Sequence, residues 1–264
     1  MIIISIGGPT AAGKTSVAEK LLAHFTAQKK SVIILPCDNY FKTCPGDMEA
    51  RQNANLDHPE RIEFSLLVEH LQALKSGETI QMPSYDFSVK ARSDKTTEVK
   101  PVEIVIVEGI LVLHAEALRE MSDVRFYVNA DQGLCLPRRM RRDVETRFET
   151  LDTVLVQWEK YVYPMYRQFV EPSQSHADFV VENDSPTKEL DITTVIKAID
   201  QHLKGEEIDK LHVQICPHKI FLFGKSLTQN GASPSVQHAN GINKNGNMSL
   251  THQADDAVGV ECKL

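Results

Sequence analysis

The chain has 264 residues, of which 42% are hydrophobic and 25% are charged, enough for one large α/β domain or two small ones that fold without disulfides or metal. A formal net charge of −7 argues against a non-specific nucleic-acid binder. The five cysteines form no C-x-x-C motif, and we find neither a secretory leader nor a run of roughly 20 apolar residues that would cross a membrane. We therefore expect a cytoplasmic protein with reduced thiols that contacts neither nucleic acid nor membrane.

Five short apolar runs predict buried strands, because most of them are continuous rather than alternating. They are Ile2–Ile6, Val32–Leu35, Ile104–Val107, Val124–Val128 and Phe179–Val181. Helical patterns separate them. These extend from Lys14 to about Lys30, then over Phe64–Lys75, Leu136–Phe148, Thr153–Val170 (with a kink or break expected at Pro164) and Lys188–Leu203. The alternation predicts an α/β fold, a doubly wound parallel sheet of five strands.

Two other parts of the chain fall outside this alternation. Thr79–Met82 and Thr96–Val99 flank a loop and predict a small β-excursion that projects toward the ligand side of the sheet. The composition changes near Leu211, and the residues beyond are rich in Asn, Gly, Ser and His. We therefore predict a main domain over 1–211, a docking segment over 212–225 with "KIFLFGK" as a last strand, and a disordered tail over 226–264.

The stretch "GGPTAAGKTS" directly follows the first predicted strand and satisfies the pattern G-x-x-x-x-G-K-T/S. Glycines let successive backbone N–H groups point at phosphate oxygens, and the following helix directs its positive end there. Lysine at this position reaches the β- and γ-phosphates, and the next hydroxyl ligates Mg²⁺. We predict that a nucleoside triphosphate binds to Gly8, Pro9, Thr10, Ala11, Ala12, Gly13, Lys14, Thr15 and Ser16.

Two carboxylates follow neighbouring predicted strands. Asp38 comes after the second strand, in "LPCDNYFK", and Glu108 after the third, in "VIVEGIL". Ligands of open parallel sheets gather at the carboxyl ends of the strands. Carboxylates beside a phosphate site suit Mg²⁺ ligation and removal of a proton from an acceptor hydroxyl. The alternative for each is capping of the helix that follows.

The predicted helix "PRRMRRDVETR" carries five arginines within ten residues, namely Arg138, Arg139, Arg141, Arg142 and Arg147. A solvated basic face is the ordinary explanation of such a run. Because the chain is acidic overall, and because phosphoryl transfer requires cations over the transferring group, we favour a helical lid that closes over the triphosphate.

Two further segments contain candidate substrate contacts. "ANLDHPERIEF" places Asp57 and His58 before a helix, where a turn and N-cap are the alternative. "MPSYDFSVKAR" places aromatic and charged side chains in the predicted β-excursion. They suit stacking on a flat ligand, although packing against the core explains them nearly as well.

These motifs occur in the order typical of one family. In "GGPTAAGKTS", "CDNYFK", "NLDHPERIEF", "PSYDF", "VEGIL", "RRMRRD" and "YVYPMY…ADFVVEND" the chain resembles the uridine kinase (uridine–cytidine kinase) family, within the wider phosphoribulokinase/uridine kinase group of P-loop enzymes. The resemblance covers about residues 2–183. It implies ATP, and often GTP, as phosphate donor with Mg²⁺, a small-molecule acceptor and a homo-oligomer, commonly a tetramer.

The resemblance also implies roles for individual residues. Asp38 matches the base that takes the proton from the nucleoside 5′-hydroxyl, and Thr15 and Glu108 match the magnesium ligands. Asp57 matches the carboxylate that holds the ribose hydroxyls. Tyr85 and Phe87 match the aromatics that line the base pocket, and Arg139 matches an arginine near the nucleoside. Arg142 and Arg147 match the arginines that clamp phosphates, and together with Lys14 they are candidate catalytic residues.

Two positions depart from the family pattern, and both fall on base recognition. Lys90 stands where these kinases usually carry a histidine, and Glu149 stands where an arginine usually ends the lid helix. A lysine and a glutamate can pair and can select a different acceptor. Three functions follow: a kinase for the 5′-hydroxyl of a pyrimidine nucleoside (uridine or cytidine to UMP or CMP), a related kinase for another nucleoside or a sugar phosphate, or a non-catalytic nucleotide-binding regulator.

Overall fold

The computed structural model describes residues 1–184, 192–204, 212–216 and 219–223. The strands within these ranges are β1 (Ile2–Gly7), β2 (Val32–Pro36), β3 (Ile80–Asp86), β4 (Ala91–Val99), β5 (Ile104–Glu108), β6 (Val124–Asn129), β7 (Phe179–Glu182), β8 (His212–Cys216) and β9 (Lys219–Phe223). The α-helices are α1 (Lys14–Ala27), α2 (Met48–Gln52), α3 (Phe64–Lys75), α4 (Glu116–Met121), α5 (Gln132–Arg147), α6 (Leu151–Gln157), α7 (Tyr163–Met165) and α8 (Thr193–Leu203).

The central sheet confirms the predicted fold class. Its five strands are all parallel and lie in the order β2-β5-β1-β6-β7. Successive residues of β1 face opposite sides: Ile3 packs into a core with Leu67 and Leu71 of α3, and Ile4 packs into a second core with Leu21 of α1. Since both faces of the sheet are covered, its strands are mostly apolar, with Ser5 and Arg125 as exceptions inside them.

Local capping moves the boundaries of two predicted helices. The first helix ends at Ala27 rather than near Lys30, and Lys29 just beyond it has a left-handed φ of 62°. Helix α5 begins at Gln132, four residues earlier than predicted. The Asp131 side chain accepts a hydrogen bond from the Gly133 amide at 2.7 Å, so it caps the helix N-terminus.

The aromatic-rich helical segment continues through Pro164, so of the kink or break expected there, the break is wrong. Helix α7 contains this proline and is flanked by π-helical turns at Trp158–Val162 and Tyr166–Val170. Hydrogen bonds in a π-helix span five residues rather than four. The wider turns accommodate a residue that has no N–H to donate.

The predicted β-excursion is a longer hairpin than the sequence indicates. Strands β3 and β4 pair antiparallel, with a register shift between Pro83 and Ser84. Pairing extends to Asp86 and Ala91, so the predicted loop is only the turn Phe87–Lys90. The Asp86 carboxylate stabilises this turn by accepting hydrogen bonds from the amide and hydroxyl of Ser88. Tyr85 and Arg92 therefore lie on paired strands and not in a loop.

The C-terminal predictions are covered only in part. Helix α8 occupies the last 11 of the 16 residues of the predicted helix Lys188–Leu203, and the first residues of that prediction, 188–191, lie outside the described ranges. Strand β9 forms in the predicted "KIFLFGK" segment and pairs with β8. The tail predicted over 226–264 also lies outside those ranges, so the domain boundaries stay predictions. No helix in the described ranges has the length and apolar character needed to cross a membrane.

Candidate active site

The predicted phosphate loop connects β1 to α1, and its conformation requires glycine at two positions. Gly8 has φ 133°, and a Cβ atom there would lie 2.1 Å from the carbonyl oxygen of Val128. Gly13 has φ 102°, and its Cβ would lie 2.5 Å from the side-chain nitrogen of Asn183. Both values of φ are strained for residues with a side chain. The loop is therefore packed tightly against the ends of β6 and β7.

Hydrogen bonds inside the loop hold its lysine in place. Lys14 Nζ donates to the Pro9 carbonyl at 2.8 Å, and the Ala12 amide donates to the same oxygen at 3.2 Å. Asn183 Nδ2 donates to the Ala12 carbonyl at 2.8 Å. Burial lowers the pKa of the Lys14 ammonium, and the nearby Glu108 carboxylate opposes that shift. The ammonium thus lies within the loop, beside the carboxylate at the end of β5.

The two predicted carboxylates lie at adjacent strand ends. Glu108 is the last residue of β5 and pairs in register with Ile6 and Pro36 on either side. Asp38 lies two residues beyond β2, in a short 3-10 helix over Cys37–Tyr40. Burial raises the pKa of the Glu108 carboxyl, and Lys14 opposes the shift.

Thr15 and Glu108 suit a magnesium ion. The Thr15 hydroxyl donates to Glu108 Oε1 at 3.3 Å, so two hard oxygen ligands lie side by side at the mouth of the loop. Within the described residues, no group of three or more His, Cys, Asp or Glu side chains could hold a metal by itself. Mg²⁺ commonly takes one or two protein ligands and completes its shell with substrate phosphates and water. The residues therefore fit an ion that arrives with a nucleotide.

Three of the five arginines of α5 surround one buried carboxylate. The Asp143 oxygens lie 2.8 Å from Arg142 Nε, 3.1 Å from Arg139 Nε and 3.5 Å from Arg147 Nε. Burial by itself would raise the pKa of Asp143, but Arg139 and Arg142 outweigh it and hold that pKa below its usual range. Since three guanidiniums share one carboxylate, the cluster keeps a net positive charge.

This cluster also contacts the phosphate loop. Arg139 Nη1 and Arg142 Nη2 lie 3.3 and 3.5 Å from the Thr10 hydroxyl, to which both donate. By contrast, Arg141 is exposed and fits the alternative of a solvated basic face. Most of the basic run is therefore directed at the loop where triphosphate would bind.

Another part of the cleft wall holds the aromatic ring of Phe87 and a third carboxylate, that of Asp57. The Arg147 guanidinium lies 3.7 Å from the centre of the Phe87 ring, a cation–π contact. Asp57 is buried, and burial raises the pKa of its carboxyl while Arg139 opposes the shift. Its neighbour His58 accepts a hydrogen bond from the Glu60 amide and caps the next turn.

These groups line a single cleft of about 300 Å³. The predicted site residues in its wall are Thr10, Ala11, Gly13, Lys14, Thr15, Ser16, Asp38, Asp57, Phe87, Glu108, Arg139, Arg142 and Arg147. The predicted site residues outside the wall are Gly8, Pro9, Ala12, Tyr85 and Lys90. The first three of these shape the loop from behind. The cleft thus brings the triphosphate loop and the Asp38 carboxylate together, although they come from different parts of the chain.

Tyr85 and Lys90 lie behind the cleft. The Tyr85 ring packs 5.3 Å from the Phe41 ring and 5.1 Å from the Phe87 ring, measured between centroids. Lys90 Nζ lies 3.7 Å from Glu149 Oε1, and both side chains are largely buried. The two residues that depart from the family pattern therefore pair with each other.

Sequence reasoning missed several residues of this site. Phe41, Leu56 and Ile110 line the cleft, and nothing in their local pattern distinguishes them from core residues. Asn183 supports the phosphate loop from a position 171 residues further along the chain. Asp143 was detectable, because it lies four residues from both Arg139 and Arg147 on one helix.

Phosphoryl transfer is the chemistry that this cleft suits, because the reaction depends on positioning and on charge neutralisation rather than on covalent help from the protein. The fold and the site together place the chain among the P-loop phosphotransferases.

Comparison with known proteins specifies the family. The sequence profile of the Phosphoribulokinase / Uridine kinase family matches residues 3–190, and the chain belongs to this family. The uridine kinase of Latilactobacillus sakei is 39% identical over 180 residues, which cover 68% of this chain and 84% of that protein. The uridine kinase of Halalkalibacterium halodurans is 39% identical over 181 residues, which cover 68% and 85%. The structure of phosphoribulokinase from Rhodobacter spheroides covers 69% of each chain with a TM-score of 0.53 and 15% identity, and it supports the fold alone.

Proposed function

We propose that the protein is an ATP-dependent kinase that transfers the γ-phosphate of Mg·ATP to the 5′-hydroxyl of uridine or cytidine. The observation that carries the proposal is the common cleft of the phosphate loop and Asp38. A loop that binds triphosphate and a carboxylate that activates a hydroxyl must share one substrate pair for in-line transfer. The relatives named uridine kinase, at 39% identity, support the choice of acceptor.

In this proposal each end of the cleft binds one substrate. Lys14 and the backbone of the loop bind the β- and γ-phosphates, and Arg142 and Arg147 cover the transferring group. Mg²⁺ would be held by Thr15 and Glu108, and when bound it neutralises charge on the phosphates. Kinase assays run with ATP and with GTP measure which of the two donors the enzyme prefers.

At the acceptor end, Asp57 accepts hydrogen bonds from the ribose hydroxyls, Phe87 contacts the base with Tyr85 packed behind it, and Arg139 lies beside the nucleoside. Asp38 accepts the proton of the 5′-hydroxyl as it attacks, and for this the two oxygens must lie about 3 Å apart. A homo-tetramer and a cytoplasmic location are further predictions from the resemblance and the composition.

The direct test is the isosteric variant Asp38→Asn. Loss of a general base lowers kcat by roughly 100- to 10,000-fold, while binding of a non-hydrolysable ATP analogue stays unchanged. The matched control is Asp94→Asn, an exposed acid on β4, which should leave kcat unchanged. If Asp38→Asn keeps kcat within about threefold of the wild type, Asp38 is not the base.

The second candidate function is a kinase for a different hydroxyl acceptor. It is favoured by the Lys90–Glu149 pair, which occupies the two positions that differ from the family's base-reading residues. ADP release measured across uridine, cytidine, purine nucleosides and sugar phosphates separates the two candidates. Release that no acceptor stimulates would contradict both, and would favour a nucleotide-binding regulator.

A further inference from the structure

A buried ion pair connects the β3–β4 hairpin to the end of the lid helix α5. Lys90 Nζ lies 3.7 Å from Glu149 Oε1, and the two side chains are only 4% and 13% exposed. Lys90 ends the hairpin turn with a left-handed φ of 48°, and its carbonyl accepts a hydrogen bond from the Cys44 amide at 3.1 Å. The Glu149 amide donates to the Asp143 carbonyl at 3.1 Å. Backbone hydrogen bonds therefore anchor both partners.

The same hairpin and helix meet a second time, at the cleft. Phe87 begins the turn that Lys90 ends, and Arg147 is the last residue of α5, two positions before Glu149. The guanidinium of Arg147 covers the Phe87 ring at 3.7 Å, and both residues line the cleft. One contact therefore faces the cleft, and the ion pair lies behind it.

A buried pair of this kind resists displacement. Burial lowers the pKa of the Lys90 ammonium, and the Glu149 carboxylate opposes that shift. Separating the partners would leave each charge in a poorly solvated site. The pair therefore restrains the distance between the turn and the helix end more strongly than an exposed ion pair would.

We infer that Lys90 and Glu149 are positioning residues for acceptor specificity: their pairing holds Phe87 and Arg147 together as one wall at the acceptor end of the cleft. Neither residue is in the cleft wall itself, so the pair acts through its neighbours and not by contacting the acceptor. The identity of the acceptor as uridine rests on the proposed function. The phosphate loop has no part in this wall, so the KM for ATP is unaffected, whereas kcat falls when the wall moves because Arg147 also covers the transferring group in the proposed function.

The test separates acceptor from donor kinetics in the full-length chain. Lys90→Met and Glu149→Gln each break the pair, and each should raise the KM for uridine about tenfold or more, because small displacements of positioning groups have large kinetic effects. The KM for ATP should stay within about twofold. Lys90→Arg keeps the charge and should restore the KM for uridine to within about threefold of the wild type.

Two controls carry the same substitutions at exposed positions of the adjoining elements, Lys95→Met on β4 and Glu145→Gln on α5, and neither should change either KM. If a single variant fails to fold, the double variant Lys90→Met/Glu149→Met takes its place in the test, because it leaves no unpaired charge in the buried site. It should fold, raise the KM for uridine and leave the KM for ATP unchanged.

Two results would overturn the inference. The first is a lower melting temperature with both KM values unchanged, which would make the pair purely structural. The second is an equal rise in both KM values, which would indicate a disturbance of the whole lid. A wild-type protein that phosphorylates neither uridine nor cytidine contradicts the proposed function alone. The variants are then compared on the acceptor that stimulates ADP release.

Discussion

Asp143→Asn should destabilise the protein through the three arginines that surround this carboxylate. The Asp143 side chain is 2% exposed, and its two shortest ion-pair distances are 2.8 Å to Arg142 and 3.1 Å to Arg139. With charge centres near 4 Å and an effective dielectric constant of 20, each pair contributes about 4 kcal/mol. Desolvation of the buried carboxylate offsets several kcal/mol of that sum.

Asparagine keeps the shape of the side chain and removes its charge, so the guanidiniums are left to repel one another. We expect a loss of about 3 kcal/mol in the free energy of unfolding at pH 7, at the lower end of what breaking a buried ion pair costs. For a chain of this size the melting temperature should fall by roughly 6 to 12 °C. The kcat/KM for ATP should fall as well, because Arg142 and Arg147 lose the group that orients them.

The loss should depend on pH in one direction. The arginines hold the pKa of folded Asp143 below its usual range, so its stabilisation is complete above the unfolded-state pKa of about 4 and is lost as the pH falls through the lower folded-state pKa. Urea denaturation of wild type and Asp143→Asn should therefore differ equally at pH 7 and pH 5, and less at about pH 3. The control Glu145→Gln on the exposed face of α5 should change little. A difference below about 0.5 kcal/mol at pH 7, or one that persists undiminished in acid, would refute the reasoning.

Two further predictions concern the phosphate loop. Gly8→Ala should lower the free energy of unfolding by roughly 2 to 4 kcal/mol, because the new Cβ would lie 2.1 Å from a backbone oxygen at φ 133°. The control Gly77→Ala, at φ 87° with no atom within 4 Å of its Cβ, should lower it by about 1 kcal/mol in the same thermal denaturation assay. Equal losses in the two variants would contradict this. Lys14→Met should weaken ATP binding roughly 10- to 100-fold, which corresponds to the loss of one charge-assisted hydrogen bond. It should not lower the melting temperature, because it removes a buried ammonium. Calorimetric titration with an ATP analogue measures the first effect, and unchanged affinity would exclude Lys14 from phosphate binding.

Several features of this protein follow from its local sequence. The five buried strands follow from runs that are apolar apart from Ser5 and Arg125, because both faces of the sheet are covered. The phosphate loop is specified by glycines at positions where side chains cannot fit. Even the pairing of Lys90 with Glu149, which are 59 residues apart, was open to prediction, since each departs from the same family pattern and their charges are opposite. Local signals failed where capping or backbone geometry decided the outcome, as in the π-helical turns around Pro164.

The site itself required tertiary structure. The spatial order β2-β5-β1-β6-β7 places Glu108 beside the phosphate loop, and the fold brings Asp57, Phe87 and the arginines of α5 to the same cleft. No spacing in the sequence specifies these contacts, because they depend on how the helices pack across the sheet. Sequence by itself therefore determined the class of chemistry through a contiguous loop. Only the tertiary structure decided which side chains face the substrates, since contacts between distant segments are set by packing of the whole domain.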